Sequence, residues 1–158
     1  MEWSVTKKFN WAMAHRLENH EGLCNSVHGH TYKLFVTVRR KKRRLDKDKK
    51  LTDKGMIIDF KNLKNIVNEV IVNKLDHAFV YNEDDNDSKS IAKVLKGQIN
   101  QKLFSFSFRT TAENMVRWMF NQLNDYFDVN NINIECCRLV LYETDSSYAT
   151  FELEGNVI

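Results

Sequence analysis

The chain has 158 residues, of which 42% are hydrophobic and 28% charged, and carries a formal charge of +3. Those are the proportions of an ordinary globular domain, long enough for a core of its own, and no apolar run reaches the ~20 residues of a membrane span. Cys24, Cys136 and Cys137 do not suggest a disulfide framework, and Met1-Glu2-Trp3-Ser4 is not a signal peptide, so the chain reads as cytoplasmic.

The first predicted strand covers 2–15. Its odd positions carry Trp3, Val5, Phe9, Trp11, Met13 and His15; its even positions carry Ser4, Thr6, Lys8, Asn10, Ala12 and Ala14. His15 therefore lies on the apolar face. A loop containing Cys24-Asn25-Ser26-Val27-His28-Gly29-His30 leads into a second strand over 29–43. His28 and His30 share the parity of Tyr32, Leu34, Val36 and Val38, so they too face inward. Three imidazoles converging with a fourth position open form the arrangement of a catalytic zinc site. Gly29 adds no side chain to crowd a bound ion, and Cys24 offers a nucleophile or base at the edge. Core histidines satisfied by hydrogen bonds are the alternative. That alternative suits one histidine better than three on matching faces.

Next comes the basic run Arg39-Arg40-Lys41-Lys42-Arg43-Arg44, followed by 46–50. It has the charge to attract nucleic acid. It has no interleaved aromatics to stack bases, and it lies between a strand and the Thr52-Asp53-Lys54-Gly55 turn. The reading is a solvated hairpin tip, with no nucleic-acid partner.

Met56-Ile57-Ile58 reads as a short extended piece. A helix is predicted over 60–75, with Asp59 as N-cap and Phe60, Leu63, Ile66, Val67, Val70 and Ile71 as its apolar stripe. Asp76 and His77 end it, either as a cap or as a carboxylate orienting an acid–base histidine. The acidic stretch 82–89 reads as a surface loop, and 90–104 as holding a short helix. A second long helix is predicted over 111–127. Thr110 and Glu113 form a capping box, and Met115, Val116, Met119, Leu123 and Phe127 line one face. Strands over 134–143 and 147–154 meet at Thr144-Asp145-Ser146, with Cys136 and Cys137 on opposite faces. Glu143 shares the parity of Cys137, Leu139 and Leu141. An inward carboxylate needs a partner, and a ligand with two parallel N–H groups, such as the amino-amide edge of a pterin or guanine, is one; a strand-end residue in water is the other reading. There is no repeat, no proline and no linker, so 1–158 is expected to be one domain. The plan is α+β, ββααββ, a four-stranded antiparallel sheet with two long helices on one face.

Assembled, these residues resemble the 6-pyruvoyl-tetrahydropterin synthase / 6-carboxytetrahydropterin synthase family nearly end to end. The resemblance rests on Phe9 with His15, Cys24-x-x-x-His28-Gly29-His30, Gly55 to Phe60, Leu75-Asp76-His77, Thr111-Ala112-Glu113-Asn114 and Tyr142-Glu143-Thr144. It implies a T-fold, with trimers stacked into homohexamers and active sites between subunits. It implies Zn²⁺ on His15, His28 and His30, catalysis by Cys24, Asp76 and His77, and substrate binding by Glu143 and Thr111. Three residues between Cys24 and His28 resemble the carboxytetrahydropterin branch; the pyruvoyl branch characteristically has five. That branch converts 7,8-dihydroneopterin triphosphate to 6-carboxy-5,6,7,8-tetrahydropterin, acetaldehyde and triphosphate on the route to queuosine. A pyruvoyl-type synthase, a folate-route side-chain lyase and a zinc-stabilised nucleic-acid module are the rivals. Two departures stand out: a long segment between His77 and Thr110, and Thr110 where the family commonly has proline.

Overall fold

A computed structural model describes residues 3–41 and 55–153. The tip of the basic run and the turn over 52–54 lie outside the described residues. The chain order is β1 (Ser4–His15), β2 (His28–Arg40), α1 (Phe60–Val67), α2 (Asn73–Leu75), β3 (Phe79–Asn82), α3 (Asn86–Ile99), β4 (Leu103–Phe106), α4 (Ala112–Val129), β5 (Ile134–Tyr142) and β6 (Tyr148–Glu152). No described helix is long and apolar enough to cross a membrane.

The architecture is α+β, but the sheet has six strands in the order β4-β3-β1-β2-β5-β6, not four. The anticipated antiparallel strands form its larger part, β1-β2-β5-β6. The added pair, β3 and β4, runs parallel to its neighbours. The expected ββααββ order is interrupted accordingly: β3, α3 and β4 stand between the two long helices. The acidic stretch read as a loop is the end of β3 and the start of α3, and the short helix expected within 90–104 is the 14-residue α3 followed by β4. Strands of four residues are too short for alternation to register, and α3 buries only Ser88 and Ala92, so it has almost no apolar stripe.

Elsewhere the periodicity translates directly. In β1 the odd positions Phe9, Trp11, Met13 and His15 are buried; in β2 Tyr32, Leu34, Val36 and Val38 are. Leu63, Ile66, Val67, Val70, Ile71 and Leu75 of the first long helix pack on that face, as do Met115, Val116, Met119, Phe120, Leu123 and Phe127 of α4. Each such burial is worth roughly 1.5–3 kcal/mol, which ties both helices to the sheet. Phe60, placed in the stripe by spacing, is instead half exposed. The Asp59 side chain caps α1 through Lys61 N, and the helix passes through a π turn (Asn68–Val72) before α2. Met56-Ile57-Ile58 forms no strand. The α4 cap is Thr111, whose hydroxyl accepts from Asn114 N; Thr110, expected there, is fully buried below it. In β5 the pairing with β2 shifts between Thr37 and Val38, so that Cys137 is the extra residue between Cys136 and Arg138. Cys136 thus points into the core with Leu139 and Leu141, and Cys137 does not share their face as simple parity implied.

Candidate active site

The geometry of the histidine cluster begins with strand register. His15 pairs directly with His28, and Met13 with His30, across the antiparallel β1–β2 ladder. The three imidazoles therefore meet on the helix-covered face, with ring centroids 4.6 Å (His15–His28), 5.4 Å (His15–His30) and 5.0 Å (His28–His30) apart. One ligand atom from each lies within 4.8 Å of the others, a grouping that could hold a metal ion. Cys24 is not part of that grouping.

Two hydrogen bonds aim the rings. His15 Nδ1 lies 3.0 Å from the Thr110 carbonyl, and His28 Nδ1 lies 2.8 Å from the Ser26 carbonyl. A carbonyl only accepts, so each Nδ1 carries the proton and each Nε2 presents a lone pair. Burial, and next the neighbouring His28, push the His15 imidazole down to about 4, so it is neutral near pH 7. Burial also lowers His30, against the opposing pull of Glu143. Neutral, oriented imidazoles are what a metal ion requires.

Gly29 has a different job from the one anticipated. It alternates to the opposite face from the histidines, and a Cβ there would meet the Met13 carbonyl oxygen at 3.1 Å. The glycine keeps β1 and β2 close, which keeps His15 opposite His28.

Beneath the cluster lies Tyr32, fully buried, with its hydroxyl 3.2 Å from His15 Nε2 and 3.2 Å from Glu143 Oε1. Burial and the Glu143 carboxylate push its phenol far above the ordinary tyrosine range, so it stays protonated and has a single proton to donate. One proton faces two acceptors. Glu143 Oε1 is also 3.8 Å from His15 Nε2; with His15 neutral this is a contact and not an ion pair. The inward parity assigned to Glu143 thus brings it to the edge of the histidine cluster, with its side chain 25% exposed.

Cys24 sits in the single 3₁₀ turn Leu23–Asn25 and is partly buried. It is close enough to Tyr32 that its charge contributes to raising the phenol. Asp76 and His77 lie elsewhere. Asp76 Oδ1 is 2.8 Å from His77 Nδ1, so the carboxylate does orient the ring and leaves Nε2 facing outward. His77 closes the helix in the left-handed conformation (φ 58°), its backbone N–H donating to the Ala12 carbonyl at 2.7 Å. The pair terminates a helix and also forms a carboxylate–imidazole couple. The His77 side chain is 81% exposed. His15 is three residues beyond Ala12, about 10 Å along the strand. Among the described residues no hydrogen bond or ion pair joins His77 to Cys24 or to the cluster. Thr111, as the α4 cap, is next to the carbonyl that aims His15.

Two residues with a part in this geometry, Tyr32 and Arg16, were not singled out from the sequence as site residues, and Thr110 was singled out only as a cap and as a departure from the family. Tyr32 had the same parity as the histidines, which was a usable signal. Thr110 and Arg16 act through contacts with residues far away in the chain, which spacing does not reveal. The basic run is partly neutralised where it is described, since Arg39 pairs with Glu135 and Lys41 with Asp128.

With the geometry in hand, similarity to known proteins is specific. The family model for 6-pyruvoyl tetrahydropterin synthase matches residues 4–154. A 6-carboxy-5,6,7,8-tetrahydropterin synthase of Haemophilus influenzae is 37% identical over 150 residues, covering 95% of this chain and 99% of that protein. One from Rickettsia typhi is 30% identical over 144 residues, covering 90% and 95%. Among solved structures, an uncharacterized protein from Wolinella succinogenes superposes with a TM-score of 0.75 at 18% identity, covering 98% and 99%. The 6-pyruvoyl tetrahydropterin synthase of Plasmodium falciparum superposes with 0.65 at 20%, covering 95% and 96%. The six-stranded sheet is therefore a form of that shared fold, and the chain belongs to the 6-pyruvoyl tetrahydropterin synthase family.

Proposed function

We propose that this protein is a 6-carboxy-5,6,7,8-tetrahydropterin synthase. It converts 7,8-dihydroneopterin triphosphate and one water to 6-carboxytetrahydropterin, acetaldehyde and triphosphate, on the route to queuosine. The observation that carries the reading is the triad of inward imidazoles, two of them fixed as Nε2 ligands by backbone carbonyls, with a carboxylate and a thiol at the rim. The names of the relatives and the three-residue spacing from Cys24 to His28 support this branch over the pyruvoyl one.

The donor set of three imidazoles fits Zn²⁺ with an open fourth position, and His15, His28 and His30 would hold it. Zinc, when bound, supplies Lewis-acid polarisation of the substrate's side-chain oxygens. Every other part is played by the chain. Glu143 and Thr111 face the pterin, and Glu143 accepts from the amino-amide edge. When the His15 lone pair is committed to a ligand, the Tyr32 proton has Glu143 as its remaining acceptor, which anchors that carboxylate from below. Cys24 removes a proton from the substrate side chain, and His77, oriented by Asp76, moves protons on the other side. Loss of triphosphate and a retro-aldol-type cleavage that takes up one water then leave the carboxylate on the pterin and release the two-carbon fragment as acetaldehyde.

His77 is exposed and has no contact with Cys24, so the reading requires Asp76 and His77 to work in a site completed by a second copy of the chain. This is the reason to propose a trimeric or hexameric homo-oligomer. Mass spectrometry of the products from 7,8-dihydroneopterin triphosphate tests the function. The expected products are 6-carboxytetrahydropterin with acetaldehyde; 6-pyruvoyltetrahydropterin or a hydroxymethyl pterin would overturn the assignment.

A further inference from the structure

We propose that Arg16 is a positioning residue for Cys24, and that the segment from Asn82 to Ile99 is the brace against which it works. The proposal rests on the reading of Cys24 as the proton-moving thiol.

Core packing does not hold the Cys24 turn. The turn Leu23–Asn25 contributes no buried residue, and Leu23 is 91% exposed. Hydrogen bonds grip it from both sides of the cysteine. The Leu17 backbone N–H donates to the Cys24 carbonyl at 2.8 Å. Arg16 then takes the next residue with two separate donors: Nε to the Asn25 carbonyl at 3.0 Å, and a terminal N–H to Asn25 Oδ1 at 2.7 Å. A planar guanidinium fixes the direction of both bonds, which a lysine ammonium cannot do.

The remaining arm of the guanidinium faces the inserted segment. It donates to Asp85 Oδ2 at 2.8 Å and approaches Ser88 Oγ at 3.5 Å. That same Asp85 oxygen accepts from Ser88 N at 2.9 Å, the N-cap bond of α3. Arg16 is only 8% exposed, and its charge is compensated by Asp85 at 2.8 Å and, more distantly, by the exposed Asp87 at 4.0 Å. Burial works against the Asp85 carboxylate, but the Ser88 bonds and the Arg16 charge outweigh it and hold its carboxyl below the ordinary range. Two further bonds lock the base of the clamp: Thr110 Oγ1 donates to the Arg16 carbonyl at 3.1 Å, and Asn82 Nδ2 to Glu18 Oε1 at 2.9 Å. A continuous polar chain therefore runs from the cap of α3 through Arg16 to the residue after Cys24. Arg16, at its middle, directly follows His15 in the sequence. The insertion that interrupts the simpler plan supplies its far end.

The test uses zinc-loaded enzyme carrying Arg16→Lys, Asp85→Ser or Asp85→Asn, with Cys24→Ala as reference. Serine ranks with aspartate as an N-cap, so Asp85→Ser keeps α3 while falling short of Arg16. It remains informative where Arg16→Lys does not fold. Expected for Asp85→Ser is a kcat about 10- to 100-fold lower, the scale of a small misplacement, with KM and zinc content as in the parent. The iodoacetamide alkylation rate of Cys24, followed by peptide mass, changes as well. Asp85→Asn, which keeps an acceptor oxygen, recovers part of both. An Asp85→Ser enzyme with the parent's kcat and the parent's Cys24 alkylation rate overturns the proposal, whatever its melting temperature. If Cys24→Ala is fully active while Asp85→Ser still alters alkylation, the brace stands and the catalytic reading of Cys24 falls.

Discussion

Glu143→Gln exchanges one oxygen for an NH₂ group, and the geometry determines where that group goes. Tyr32, fully buried, donates to Glu143 Oε1 at 3.2 Å, a bond that an amide oxygen can accept and an amide NH₂ cannot. The glutamine therefore keeps its carbonyl oxygen on Tyr32. Its amide nitrogen takes the place of the second oxygen, on a side chain that in the parent is 25% exposed. There a donor meets the N–H edge of the pterin head on. One charge-assisted hydrogen bond is lost, about 1.5–3 kcal/mol. That corresponds to a Kd roughly 10- to 150-fold weaker. Fluorescence titration of zinc-loaded protein with 7,8-dihydroneopterin, which has no triphosphate to eliminate, measures this without turnover. Zinc content should equal the parent's, because the three imidazoles are untouched. The melting temperature should move by less than the roughly 2–4 °C that 1 kcal/mol produces in a chain of this size. A variant that binds 7,8-dihydroneopterin as tightly as the parent would refute the placement of the ring against Glu143.

Other expectations follow from the same geometry. His28→Ala should lose most of its zinc by elemental analysis and some stability, since ligand binding is partly folding energy; full occupancy in that variant would sink the ligand set. Cys24→Ala should keep one zinc per chain and lose turnover, whereas loss of metal would make the thiol a fourth ligand. In EDTA-stripped protein, His15 stays neutral down to about 4 while the unfolded chain takes a proton near 6.5. The unfolded state binds the extra proton between those values, so stability should fall as pH is lowered through that window, by up to about 3 kcal/mol. Urea titrations across that range check it, and a slope unchanged by His15→Asn would contradict the assignment. Thr111→Ala should cost about 1 kcal/mol of stability from its cap alone, measurable in the absence of any pterin; no loss would mean the cap bond to Asn114 contributes nothing.

How far the chain could be read from its residues depended on the range of each interaction. The period of two in β1 and β2 is a local property, and it was enough to place His15, His28 and His30 on one face before any pairing was known. Antiparallel register then set His15 opposite His28. The period of 3.6 did the same for the helices packed against that face, and Glu143 kept its inward side because its parity with Leu139 and Leu141 is undisturbed. Parity failed at Cys137, where one extra residue in the ladder resets the alternation, and nothing local signals such a shift.

The rest was decided by contacts between segments distant in the chain. The Thr110 carbonyl that aims His15 is 95 residues away, and the Asp85 carboxylate that holds Arg16 is 69 away. Such pairs leave no periodic trace, because neither residue needs its partner until the sheet and helices have brought them together. The four-residue strands β3 and β4 are likewise stabilised by their parallel neighbours and by the helices that cover them, not by a pattern of their own. The separation of His77 from Cys24 is tertiary too. Adjacent motifs on a list of residues carry no distance, and only the folded chain puts one at the buried cluster and the other on an exposed helix end.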